Sequence, residues 1–204
     1  IVSATLAAAT VQAQFSHAFG ADGAGNIGYN LALTGSNVAS GLYAVDPLAA
    51  NGQGTQIVLN QVGNVITGSA NGVSYFTLTI DPATGAVTLN LLDNVWHGNT
   101  GSHDDSVSLT LNSGVLTLVQ TVTDADGDNA KASIDLGTGG VFRFEDDGPT
   151  AGLATQAPSL GSVKVDESLP ALGGVGGDGI VSATLAAATV QAQFSHAFGA
   201  DGAG

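Results

Sequence analysis

Residues 56–80, QIVLNQVGNVITGSANGVSYFTLTI, contain three apolar runs separated by Val62-Gly63-Asn64 and by Ala70-Asn71-Gly72. Within each run apolar side chains recur at every second position, the period of a half-buried strand and not of a helix. Asn-Gly is the dipeptide that tight hairpins prefer, because both central residues of such a turn take a positive φ. A three-stranded antiparallel meander is predicted here. The pattern extends in both directions. Asp81-Pro82-Ala83-Thr84-Gly85 joins YFTLTI to AVTLNLL, with Pro at a turn position where φ is already restricted and Gly where a positive φ is needed. Upstream, NIGYNLALTG and ASGLYAVDP each alternate and stop at Gly, Asn or Pro. Downstream, SVSLTLNSGVLTLVQTVTD alternates across Asn112-Ser113-Gly114 and predicts a further hairpin, followed by AKASIDL and GVFRF. About nine short strands at a spacing of roughly ten residues, with no long helix, predict an all-β chain folded as an antiparallel β-sandwich.

The chain also repeats itself. IVSATLAAATVQAQFSHAFGADGAG, residues 1–25, returns without a change as residues 180–204, a repeat length of 179 residues. Packing alone tolerates many apolar substitutions, so identity over this length marks a recent duplication and a tandem array. A unit of that size buries its own core, unlike the short repeats of a solenoid. Independent domains in series are expected. Within the 25-residue segment LAAATVQAQF favours a helix by propensity, whereas its Val, Thr and Phe suit a strand, and the pattern leaves both open.

The stretch EDDGPTAGLATQAPSLGS after Phe144 is rich in Pro, Gly and Ser and is expected to hold no ladder, so the first domain is placed at residues 1–149 and a linker at 150–162. Residues 163–204 then open the next repeat, with VKVDES (163–168) as its first strand. By the repeat, residues 1–149 lack that strand, which leaves an edge to be filled by a neighbouring copy, either covalently in tandem or by strand addition.

Composition narrows the function. Seventeen acidic residues face only three basic ones, Lys131, Arg143 and Lys164, for a net charge of −14. Such a surface repels nucleic acid phosphates and anionic membranes and attracts cations. No apolar run is long enough for membrane insertion as a helix. Cysteine is absent, so neither disulfides nor thiolate metal sites are available. Calcium is the expected staple.

Asp124, Asp126 and Asp128 alternate in one turn around Gly127, so that three carboxylates converge where a hard cation needs six to eight oxygens. Asp135 stands at the twelfth position, yet the glycine is fourth instead of sixth and no helix flanks the loop, so the turn is not an EF-hand. Glu145, Asp146 and Asp147 form a second acidic group at the end of the first domain, and Asp166 and Glu167 a third at the start of the next. A cation held by these two groups would stiffen the linker they flank. Asp104, Asp105 and Asp22 suit ordinary turn positions equally well.

No catalytic constellation stands out, and the chain is read as a non-enzyme. The Gly174-x-Gly176-x-x-Gly179 pattern lies in a linker without the strand and helix a dinucleotide site requires, and no P-loop or nucleophile elbow occurs. The alternative reading is a carbohydrate- or surface-binding module that presents Trp96, His97 and Asn99, with His103 nearby.

Taken together, TDADGD, FEDDGP, VDESLP, GADGAG and DPATG resemble the repeat domains of large type I secreted adhesins of the repeats-in-toxin class, over nearly the whole 179-residue unit. The resemblance implies Ig-like extender domains, rigidified by calcium, that carry a ligand-binding tip away from a bacterial cell surface in adhesion or biofilm formation. It therefore implies an extracellular location. The glycine-rich nonapeptide repeats that accompany such proteins are not in this sequence, nor is a tip domain, so any glycan or surface ligand of a tip is not carried over to these residues.

Overall fold

A computed structural model of the chain describes residues 2–102, 104–165 and 182–199. They divide into two compact units, Ile1–Asp147 and Gly148–Ala203.

The first unit is an antiparallel β-sandwich. Its larger sheet contains β1 (Val2–Leu6), β3 (Val38–Val45), β4 (Gln53–Val62), β5 (Val65–Ala70), β6 (Val73–Ile80) and β7 (Val87–Leu91), in the order β1-β7-β6-β5-β4-β3. The predicted meander is thus the middle of this sheet. Asn71 and Gly72 both take positive φ, 51° and 81°, as their two-residue hairpin requires. At the next turn the Asp81 carboxylate accepts the Ala83 N–H at 2.9 Å and Gly85 takes φ 79°. The second sheet contains β2 (Ala24–Leu33), β9 (Leu116–Asp124) and β10 (Asn129–Asp135), with β9 in the middle.

Alternation places Ile57, Leu59, Ile66, Phe76, Leu78 and Val87 of the larger sheet on one buried face. Tyr29 and Leu31 of β2 and Leu116 and Leu118 of β9 meet them from the other side. Gly68 lies directly opposite Phe76 in the β5–β6 ladder, and a Cβ there would run into the Phe76 ring. That ring fills the space and stacks obliquely on Phe144, centroids 5.0 Å apart.

The predicted hairpin across residues 112–114 takes a different form. The chain does turn there, since the Val115 N–H donates to the Asn112 carbonyl at 3.2 Å. Its two flanks, however, join different sheets. β8 (Ser106–Ser108) pairs with β11 (Arg143–Glu145) in a separate two-stranded ribbon, while β9 pairs with β2 and β10. Leu109 and Leu111 then bond to the Phe142 and Gly137 carbonyls and bury their side chains in the core. Alternation reports which side chains turn inward, and both arrangements bury the same ones, so it does not choose between them.

Of the two forms left open for LAAATVQAQF, residues 6–15, the chain takes the helix, over Ala8–Gln12. Val2–Leu6 is strand β1, the edge strand paired with β7, and Ala8–Gln12 is a short helix, α1. Val11 on that helix is 1% exposed and plugs the end of the sandwich beside Gly85 and Tyr29.

In the second unit, α2 (Ala187–Gln191) repeats α1, and β12 (Thr150–Leu153) pairs with β13 (Phe194–Ala197). Residues 150–153, expected to lie in a linker without a ladder, therefore form one. Pro149 and Pro158 bracket this strand without interrupting it, and Thr150 to Leu153 retain every N–H a ladder uses. Residues 163–165 carry no strand, and 166–168 lie outside the described residues. No helix among the described residues is long and apolar enough to cross a membrane.

Candidate metal site

Strand β9 ends at Asp124, and the turn to β10 is closed by the Asp124 N–H donating to the Asp128 carbonyl at 3.0 Å. The Asp124 carboxylate accepts the Gly127 N–H at 3.2 Å, and Gly127 takes φ 104°, a conformation that favours glycine. On the other side of β9 lies β2, whose first residue Ala24 is in register with Asp124; a bulge at Gly25 follows before Asn26 pairs with Thr123. A Cβ on Gly25 would strike the Thr123 and Asp124 carbonyl oxygens, so only glycine permits this approach. The Ala125 N–H then donates to the Gly23 carbonyl at 3.2 Å, which ties the loop before β2 to the β9–β10 turn.

This stitching brings Asp22 to Asp124 and Asp126. A carboxylate oxygen from each lies within 4.8 Å of the others. Asp124 is half-buried and the other two are exposed. Among the described residues none of the three pairs with a basic side chain. Asp128 contributes its backbone carbonyl to the turn, and its carboxylate is not part of the group; with Asp124 it lines an adjacent cleft of about 260 Å³. Three anions this close repel one another, and a bound cation relieves that repulsion. Carboxylate oxygens without imidazole or thiolate suit a hard cation such as calcium.

The other sequence candidates are placed separately. Glu145 is the last residue of β11 and exposed; the Asp146 N–H donates to the Asp105 carbonyl, and the Asp147 N–H to the Asp146 carboxylate, each at 2.9 Å. These three join no acidic group among the described residues. Asp166 and Glu167 lie outside the described residues. Asp135 serves another turn: its carboxylate accepts the Gly114 and Gly137 N–H groups, each at 2.7 Å, and the Thr138 N–H at 3.1 Å. These bonds, the one from Gly114 foremost, hold its pKa down at about 2.

The aromatic loop is engaged internally. The Trp96 indole N–H donates to the Asn51 carbonyl at 2.7 Å, and its ring meets Tyr43 edge-on with centroids 6.2 Å apart. The His97 side chain is 6% exposed, with Nδ1 3.7 Å from the Asp105 carboxylate. Asn99 accepts the Gly101 N–H at 3.2 Å and so shapes its own turn. His103 lies outside the described residues.

Asp22 is the member of the acidic group that spacing does not select, because it is about a hundred residues from Asp124 along the chain. Its signal is GADGAG, residues 20–25, which runs into the start of β2: glycines on both sides of an aspartate, leading into a strand that borders the TDADGD turn.

Residues 2–137 match a family described as Domain of unknown function (DUF5801). No curated protein and no solved structure matches the chain.

Proposed function

The chain belongs to the DUF5801 family, and we propose that it is a structural extender repeat of a bacterial cell-surface adhesin, stiffened by calcium and serving adhesion or biofilm formation as part of an array. The observation that carries this reading is the convergence of Asp22, Asp124 and Asp126 from two neighbouring segments. A cation there bridges the loop before β2 to the turn after β9, and so fastens one end of the second sheet.

Two further features support a mechanical role. An identical 25-residue segment at a spacing of 179 residues suits a length module, and the net charge of −14 favours cation uptake over binding to anionic surfaces. The resemblance to adhesin repeats supplies the extracellular setting, where calcium is abundant.

A ligand that binds only the native state stabilises it by RT ln(1 + [L]/Kd), about 2.7 kcal/mol at a hundredfold excess over Kd. The expected outcome is a higher melting temperature for the full chain in millimolar calcium than in chelator, with most of that rise lost in Asp126→Ala and in Asp22→Ala. Melting that is the same in calcium and in chelator would overturn the reading. A response to calcium that both variants retain would overturn the assignment of these ligands.

A further inference from the structure

The identical 25-residue segments occur in two settings. Their local conformations agree. The helices α1 and α2 start from Ala7 (φ −63°, ψ 144°) and Ala186 (φ −60°, ψ 135°), and end at Ala13 (−65°, −13°) and Ala192 (−66°, −9°). The next N–H, of Gln14 or Gln193, donates to Val11 or Val190 at 3.0 Å in both. His17 and Phe19 stack edge-on at 5.6 Å and 74°, His196 and Phe198 at 5.2 Å and 73°. Gly20 and Gly199 take φ 77° and 76°.

The difference lies in the partner. In the second unit Phe194–Ala197 is a strand, with Leu153 opposite Phe194, Gly152 opposite Ser195, Ala151 opposite His196 and Thr150 opposite Ala197. The Ala154 N–H donates to the Gln193 carbonyl at 2.9 Å, and the Gln193 side-chain amide donates to the Pro158 carbonyl at 2.8 Å. In the first unit residues 15–18 are not a strand. Among the described residues Ser16, His17 and Ala18 make no backbone hydrogen bond, and the Gln14 side-chain amide lacks the acceptor that its counterpart Gln193 has in Pro158. Ser16, His17 and Ala18 are exposed. Phe15, by contrast, is half-buried against Tyr29, with ring centroids 6.2 Å apart.

We propose that residues 15–18 are an acceptor edge whose partner is the segment equivalent to Thr150–Leu153, donated by the repeat before it in an array. This rests on the extender reading only for the array, and not for calcium. The helix before the segment and the ring contact and glycine after it already have the arrangement found in the paired copy, so little further ordering opposes the pairing. Side-chain placement agrees. Leu153 faces Phe194, and both are largely exposed in the second unit, 76% and 58%. Opposite Phe15, which packs on the sandwich core, the donated leucine lands beside apolar surface and covers it. The joint between successive repeats is then a β-ladder in which residues 150–153 supply one strand.

Hydrogen exchange tests this in chelator, independently of metal. In the antiparallel pattern set by the Ala154 bond, Gly152 and Ser195 form a hydrogen-bonded pair, as do Thr150 and Ala197. The probe is the full chain extended by a copy of residues 148–179 placed directly before Ile1, which continues the repeat in frame. Expected are slow exchange at the Ser16 and Ala18 amides, matching Ser195 and Ala197, at least tenfold slower than in the chain without the extension. Gly152→Pro in the added copy removes the N–H and restores fast exchange at Ser16 and Ala18. Fast exchange at Ser16 and Ala18 despite the extension overturns the proposal, as does slow exchange that survives the proline. Either failure leaves the calcium test of the extender reading untouched, and a failed calcium test leaves this one standing.

Discussion

Asp135 shows how one side chain can hold a corner of the sandwich. Its carboxylate gathers N–H groups from Gly114, Gly137 and Thr138, and so joins the turn before β9 to the loop after β10. Its folded pKa of about 2 lies below the ordinary 3.8. A group depressed in this way stabilises the fold above its unfolded value, and the contribution is lost as pH falls through the folded one. Asp135→Asn is therefore expected to melt at a lower temperature than the parent at pH 7, with the gap closing between pH 3.8 and about 2. Thermal melts of both proteins across that range check it, and a gap that stays constant with pH would show that the carboxylate's charge is not what matters.

The duplicated segment allows a control within one molecule for the element that it forms. Val11 on α1 is 1% exposed, whereas Val190, the same residue on α2, is 38% exposed among the described residues. The Gln12 side chain also fixes α1 by donating to the Thr84 carbonyl at 2.9 Å. A five-residue helix has little stability of its own, so α1 is held by its docked valine. Val11→Ala is expected to cost roughly 2 kcal/mol, the range for truncating a buried aliphatic side chain, whereas Val190→Ala stays within about 0.5 kcal/mol. Urea unfolding of the full chain, followed in the first unit for Val11→Ala and in the second unit for Val190→Ala, measures both. Equal losses would show that α1 does not plug the core.

On the scale of the whole molecule the excess of acid sets the behaviour. A charge of −14 over 204 residues repels itself. Divalent cations relieve that repulsion more effectively than an equal ionic strength of sodium chloride, because carboxylate clusters chelate as well as screen. For two complete tandem repeats, small-angle scattering is expected to give a larger and better defined maximum dimension in millimolar calcium than in chelator. Sodium chloride of the same ionic strength should fail to reproduce the change. A maximum dimension that is the same in calcium and in chelator would mean that the acidic stretches on either side of Pro149 are simply solvated.

Much of the architecture is legible along the chain because strands and hairpin turns are encoded locally. Alternation in residues 56–80 and Asn71-Gly72 between two runs define the meander without reference to anything distant. The repeat, the negative charge and the lack of cysteine are likewise plain in the sequence. What only the tertiary structure decides depends on partners far apart in the chain. Residues 106–111 and 116–124 alternate as one hairpin would, yet separate into different sheets, because Leu109 and Leu111 find the Phe142 and Gly137 carbonyls. Asp22 joins Asp124 and Asp126 because β2 lies beside β9 and Gly25 admits the Asp124 backbone. Phe15 to Ala18 and Phe194 to Ala197 are the same four residues between matching flanks, and the second set is a strand because β12 lies against it. Local interactions give the flanking helix its conformation in both copies, but a ladder needs a second backbone, and its presence is decided by the rest of the molecule.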